Sequence, residues 1–113
     1  MSDDCLFCRI IRGEIPAKFV ATTPECIALR DINPQAPTHI VIISREHIPT
    51  LSDVKDPLIV GQMAKLATDL AASEGIADSG FRVVVNQNAD GGQTVFHLHM
   101  HLLGGRHMGW PPG

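Results

Sequence analysis

His97-Leu98-His99-Met100-His101-Leu102-Leu103 sets three histidines at alternate positions. In an extended strand, alternate side chains share one face, so the three imidazoles line up together. Leu98, Met100 and Leu102 then point the other way, into a core. Half of the chain's six histidines fall within these five positions. Taken alone, the pattern fits a metal site or the polar face of a solvated strand. The preceding stretch, Asn86-Gln87-Asn88-Ala89-Asp90-Gly91-Gly92-Gln93-Thr94, is a polar loop with a glycine pair. Glycines allow backbone N–H groups to approach an anion closely, and such turns form anion-binding concavities. A phosphate cradle beside three histidines suggests chemistry on a phosphate.

The remaining sequence bounds what that chemistry belongs to. A length of 113 residues predicts a single domain, 1–113, with a modest core that a partner subunit would help to stabilise. Apolar residues make up 44% and charged residues 19%, which argues against disorder. The formal charge of −3 does not favour a general nucleic-acid binder, which would carry a basic face. No apolar run approaches the roughly 20 residues of a membrane span, and no secretory signal is expected. Cys5, Cys8 and Cys26 are odd in number, so a disulfide framework is not expected and a cytoplasmic setting is.

Working outward along the chain, Cys5–Arg12 reads as a short helical turn, with Gly13 closing it. Phe19–Thr22 and Cys26–Asp31 read as a hairpin around Thr23-Pro24-Glu25. Asn33-Pro34-Gln35-Ala36-Pro37 is a rigid loop, since each proline fixes its own φ and restricts the residue before it. His39-Ile40-Val41-Ile42-Ile43-Ser44 is continuously β-branched and predicts a central strand buried on both faces. Asp56-Pro57 opens the one long helix, with Asp as N-cap and Pro at the first position. Ile59, Met63, Leu66 and Leu70 form its apolar stripe, and Gly75 ends it. Phe81–Asn86 is a fourth strand, followed by the glycine loop and the histidine strand. The expected fold class is α+β: a five-stranded, mainly antiparallel sheet with one long helix and a short N-terminal helix.

His-x-His-x-His followed by two apolar residues resembles the histidine triad (HIT) family of nucleotide hydrolases and transferases. Arg12-Gly13-Glu14-Ile15-Pro16-Ala17-Lys18, Asp31-Ile32-Asn33-Pro34-Gln35-Ala36-Pro37-Thr38-His39, Asp90-Gly91-Gly92-Gln93 and Trp110-Pro111-Pro112-Gly113 fit, in order, its Hint branch of purine nucleoside phosphoramidases. The resemblance spans essentially the whole chain. It implies a homodimer whose two sheets join into a ten-stranded one, with Trp110 approaching the neighbouring subunit's site. It implies hydrolysis of a nucleoside 5′-phosphoramidate to a nucleoside monophosphate and an amine, with no cofactor required for catalysis.

The residue roles follow from the same resemblance. His99 would be the nucleophile toward the α-phosphorus, oriented by the backbone carbonyl of His97, with His101 donating to a phosphate oxygen or the departing amine. His39 would support the triad. Thr94 and the backbone N–H groups of Gly92, Gln93, Thr94 and Val95 would hold the phosphate, and Asn86 would serve the leaving-group side. Asp31 would hold the ribose, and Leu6, Phe7, Ile10, Leu29 and Ile32 the purine base. Some bacterial relatives pair a Cys-x-x-Cys with two histidines, which would make Cys5, Cys8, His47 and His97 a structural zinc site. The other possibility is two reduced thiols on a short helix, with Cys26 packed as a small hydrophobe. Two other functions stand beside the phosphoramidase: a nucleotide-binding regulator or adaptor with residual catalysis, and a dinucleoside polyphosphate hydrolase.

Overall fold

Thr38–Ser44, the β-branched run, forms a strand in which every residue is buried. The computed structural model describes residues 4–113 of the chain, so the first three positions of the expected 1–113 domain lie outside the described residues. In chain order the α-helices and strands are helix α1 (Leu6–Ile11), strands β1 (Phe19–Thr22), β2 (Cys26–Arg30) and β3 (Thr38–Ser44), helix α2 (Leu58–Ser73), strand β4 (Phe81–Val84), the one-turn helix α3 (Asn88–Gly91) and strand β5 (His99–Gly104), with a single 3-10 turn at Leu51–Asp53 between β3 and α2. The five strands make one sheet in the order β1-β2-β3-β5-β4, and every pairing is antiparallel. The α+β class and the five strands agree with the sequence expectation.

The sheet separates two apolar clusters, and strand parity assigns residues to them. Ile40 and Ile42 of β3 face Leu102 and Met100 of β5 in register. These four pack with Met63, Ala67, Leu70 and Ala71 of α2. Val41 and Ile43 point to the other face, where Ile27 and Leu29 of β2 meet Phe7 and Ile10 of α1. Ile43 lies opposite His99 and Val41 opposite His101, so both histidines share the α1 face. Each fully buried branched side chain contributes about 1.5–3 kcal/mol, so the central strand anchors both layers.

Several boundaries differ from the sequence expectation. The long helix begins at Leu58 rather than Pro57; the Asp56 carboxylate still caps it, accepting from the Leu58 N–H at 3.0 Å. β4 ends at Val84, where its pairing with His101 ends, and not at Asn86. The loop after it contains α3, which periodicity could not reveal in a single turn. The histidine strand starts at His99, because Leu98 N–H turns to the carbonyl of Ile48 at 2.6 Å. Arg30 closes the end of β2 onto the C-terminus of α2 through a two-point ion pair with Glu74, at 2.5 and 2.9 Å. Its guanidinium holds the Glu74 carboxyl below the usual carboxylate range.

Gly104 ends β5 against buried Ile76, and a Cβ built there would stand 2.4 Å from Cδ1 of that side chain. Gly104→Ala should therefore destabilise the chain by about 1–3 kcal/mol through overpacking. Adding Ile76→Val, which removes the clashing methyl, should recover part of the loss in urea unfolding. An equal loss with and without the second substitution would show that the clash is not the cause.

Candidate active site

Register and parity bring His39, His99 and His101 to one end of the α1 face. His39 enters at the start of β3 opposite Leu103, on the same side as Val41. His97 precedes β5, and its side chain is wholly buried beneath α1. Phe7 of α1 packs edge-on against both rings, 5.8 Å from His97 and 5.1 Å from His99 between centroids.

The hydrogen bonds fix where each imidazole carries its proton. His99 Nδ1–H donates to the backbone carbonyl of His97 at 2.6 Å, which leaves Nε2 as a lone pair. The Gln35 N–H donates to His39 Nδ1 at 3.0 Å, so the neutral His39 ring carries its proton on Nε2. That N–H donates to His101 Nδ1 at 2.9 Å, and His101 therefore carries its own proton on Nε2. Among the described residues neither His99 Nε2 nor His101 Nε2 has a protein partner, and no buried side-chain nitrogen or oxygen lacks one. Both atoms thus open to solvent, one as acceptor and one as donor. Burial lowers the proton affinity of His99, against the opposing hydrogen bond to the His97 carbonyl. Burial, with His99 and His39 nearby, pushes His101 down to about 4. Burial likewise lowers His39, partly offset by Asp31, whose carboxylate lies 3.5 Å from His39 Nε2.

Beside His39, Asp31 and Ile32 line a cleft of about 660 Å³ with Pro16, Ala17, Lys18 and Arg30; His99 and His101 are not part of its wall. Ile32 is fully exposed and Leu6 is exposed, whereas Phe7, Ile10 and Leu29 are buried in the α1 cluster. Leu29 in particular offers a floor and not a stacking face. One Asp31 oxygen accepts from the Asn33 N–H at 2.8 Å, which turns the loop and aims the rest of the carboxylate at His39. A roomier cleft of about 820 Å³ at the start of α2 contains none of His39, His97, His99 and His101.

The glycine loop differs from the expected cradle. The N–H groups of Gly92 and Gln93 are consumed by the end of α3, donating to the carbonyls of Ala89 and Asn88 at 3.0 Å. Gly92 adopts φ 79°, the left-handed cap that glycine tolerates. The Gln93 side chain is buried and fully engaged, accepting from Asn88 N–H and donating to the carbonyls of Pro49 and Val95. Gly92 and Gln93 therefore shape the loop and offer no spare donor. Among the described residues the Thr94 and Val95 N–H groups donate to no protein acceptor, and Thr94 is exposed. Asn86 is half-buried at the entrance to this loop.

Behind the triad, the donor atoms of Cys5, Cys8, His47 and His97 all lie within 4.8 Å of one another. His97 Nδ1 is 3.3 Å from Cys5 Sγ, 3.5 Å from Cys8 Sγ and 3.2 Å from His47 Nδ1. His47 Nδ1 is 3.2 Å from Cys8 Sγ. A tetrahedral ion with Zn–S near 2.3 Å and Zn–N near 2.0–2.1 Å sets such atoms roughly 3.3–3.8 Å apart. His97 Nε2–H donates to the Ser44 carbonyl at 2.6 Å, so its Nδ1 lone pair faces the quartet, as a ligating histidine requires. Asp31, His39 and His101 are equally close together, but there the His39 proton occupies the nitrogen that a metal would need. The first cluster fits a metal and the second holds a proton. Sequence reasoning missed Gln35 and Ser44, because both act through backbone groups.

Comparison with known proteins follows the same lines. The HIT domain family matches residues 12–108. The chain is 48% identical to a purine nucleoside phosphoramidase of Escherichia coli K12, over 96% of this chain and 93% of that protein. It is 47% identical to an uncharacterized HIT-like protein of Synechocystis, over the whole of both. Among solved structures, a HIT family hydrolase from Legionella pneumophila superposes with a TM-score of 0.94 at 50% identity, covering 97% of this chain and all of that one.

Histidine ¹⁵N spectra provide the check on the proton positions. At pH 5.5 His101 should remain neutral with its proton on Nε2, and at pH 7 His99 should be neutral with its proton on Nδ1. Depressed affinities mean that both rings charge only below the ordinary histidine value of about 6.5. Half-protonation of His101 at or above that value would contradict this arrangement.

Proposed function

This chain belongs to the HIT family, and from that premise we propose that it is a hydrolase of purine nucleoside 5′-phosphoramidates, working through a covalent nucleotidyl-histidine on His99. The observation that carries the proposal is the 2.6 Å hydrogen bond from His99 Nδ1 to the His97 carbonyl. It leaves a solvent-facing Nε2 lone pair on a ring that burial keeps uncharged. A neutral imidazole so oriented is a good nucleophile toward phosphorus.

His99 Nε2 attacks the α-phosphorus, the P–N bond breaks, and the amine departs with an added proton. Water then attacks the phosphorus, the bond to His99 breaks, and a nucleoside monophosphate is released. His101 Nε2–H faces the same space and donates to a phosphoryl oxygen or to the leaving nitrogen. Its low proton affinity belongs to the free site; an anionic phosphoryl group beside it favours the charged ring, so substrate itself recruits the acid. His39 supports it through the Nε2–H bond to His101 Nδ1. Thr94 Oγ and the N–H groups of Thr94 and Val95 hold the phosphoryl oxygens, and Asn86 serves the leaving-group side. Asp31 accepts from the ribose hydroxyls, and the base lies against Ile32 and Leu6 above the floor of Phe7, Ile10 and Leu29.

Cys5, Cys8, His47 and His97 hold one structural zinc ion. When bound, the ion cross-links α1 to the sheet and keeps both thiols deprotonated. The whole chain, 1–113, is one HIT domain acting as a cytoplasmic homodimer. Support for the dimer is the outer edge of β4, unpaired among the described residues, with exposed Val83 upon it, and the exposed Trp110. No helix among the described residues is long and apolar enough to cross a membrane.

Turnover of an adenosine phosphoramidate beside a dinucleoside polyphosphate tests the substrate class, with the phosphoramidate expected to be strongly preferred. His99→Ala should lose about three or more orders of magnitude in kcat yet still bind adenosine monophosphate. His101→Ala should lose much less on substrates whose leaving group departs without a proton. Faster polyphosphate cleavage, or turnover that survives His99→Ala, would overturn the proposal.

A further inference from the structure

We propose that Cys5 and Cys8 form a hydroperoxide-sensitive thiol site, whose oxidation to a disulfide expels the bound metal and slows turnover. The inference rests on the zinc assignment above. Access is graded between the two sulfurs. Cys5 is half-buried and lines an open cleft of about 450 Å³ with Leu6, His47, Thr94 and Phe96, while Cys8 is fully buried beneath it. Such a pair supplies one thiol to meet an oxidant and a second to resolve it. The two are already close. Cys5 is the N-cap of α1, its sulfur accepting from the Cys8 N–H at 3.4 Å, and both sulfurs belong to a quartet no wider than 4.8 Å.

The chemistry balances with a hydroperoxide as oxidant. The Cys5 thiolate attacks the peroxide, the O–O bond breaks, and an alcohol (water, for hydrogen peroxide) leaves after taking a proton from solvent. The Cys8 thiolate then attacks the Cys5 sulfenic acid, forming the S–S bond and releasing hydroxide. Two electrons pass from the sulfurs to the peroxide. The metal loses both anionic ligands and is left with two imidazoles.

The consequence reaches the triad through short connections. Phe7 lies between the two cysteines in the first turn of α1, and its ring meets His99 and His97 edge-on. His97 is at once a quartet member and the carbonyl that holds the His99 proton. Loss of the metal removes one tie between α1 and His97, whose carbonyl orients the His99 ring.

Zinc content measured before oxidation tests the assignment on which the inference rests. Hydrogen peroxide is then titrated into the zinc-loaded protein while four quantities are followed: the mass of the peptide containing residues 5–8, zinc release by a chromogenic chelator, turnover, and the His99 ¹⁵N signals. The peptide should lose two hydrogens in step with zinc release, and turnover should fall about tenfold, the lower range for loss of a metal-site support. The His99 signals should shift, and dithiothreitol with zinc should reverse every change. Cys26→Ala should respond identically. Protein that holds no zinc at the outset overturns the metal assignment and this inference with it. Zinc retained with both thiols reduced, or a disulfide formed with turnover and His99 signals unchanged, overturns this inference alone.

Discussion

One carbonyl oxygen, that of His97, holds the site together. It accepts the Nδ1 proton of His99 at 2.6 Å and so decides which His99 nitrogen faces the cleft. The carbonyl can do this because His97 itself cannot turn. Its ring is wholly buried, gives its Nε2 proton to the Ser44 carbonyl, and meets two sulfurs and a second imidazole with its other nitrogen. The bond from the Leu98 N–H to the Ile48 carbonyl lies just ahead of β5, so His97 precedes the regular strand. A buried ring with both nitrogens engaged is a rigid support, and catalytic geometry needs one.

Two clusters of nearly equal compactness behave differently because their neighbours differ in hydrogen-bond character. A carbonyl acceptor behind His97 places a lone pair toward Cys5, Cys8 and His47. A backbone donor behind His39 places a proton toward His101 and Asp31. Proximity alone would rank them together. The group behind each ring separates a metal-binding arrangement from a proton-holding one.

Much of the fold was legible because it depends on period. The β-branched run His39–Ser44, the stripe of Ile59, Met63, Leu66 and Leu70, and the alternating histidines each state which face is buried, and the sheet follows. Parity could place the three histidines on one face, and His97 and His99 both meet Phe7 of α1; it could not show that the regular strand begins only at His99. The glycine loop was legible as a turn but not in its donors. Whether the Gly92 and Gln93 N–H groups are free depends on a single helical turn over Asn88–Gly91, too short to leave a periodic signal. Gln35 and Ser44 were invisible for a related reason: each contributes a main-chain group that any residue type would carry. Leu29 reads as a base contact from the resemblance; its place in β2 sets it in the apolar cluster beneath α1 with Phe7 and Ile10, the other buried residues of the proposed base slot.

The proposed mechanism requires that phosphorus become bonded to His99 during turnover. Rapid quenching of a reaction with a radiolabelled adenosine phosphoramidate tests this directly. The account predicts an acid-labile, base-stable label on the wild-type chain that appears before product, maps to the peptide containing His99, and is absent from His99→Ala. A wild-type chain that turns over without ever acquiring label, or a His99→Ala chain that acquires it equally, would contradict the covalent route and favour direct attack by water.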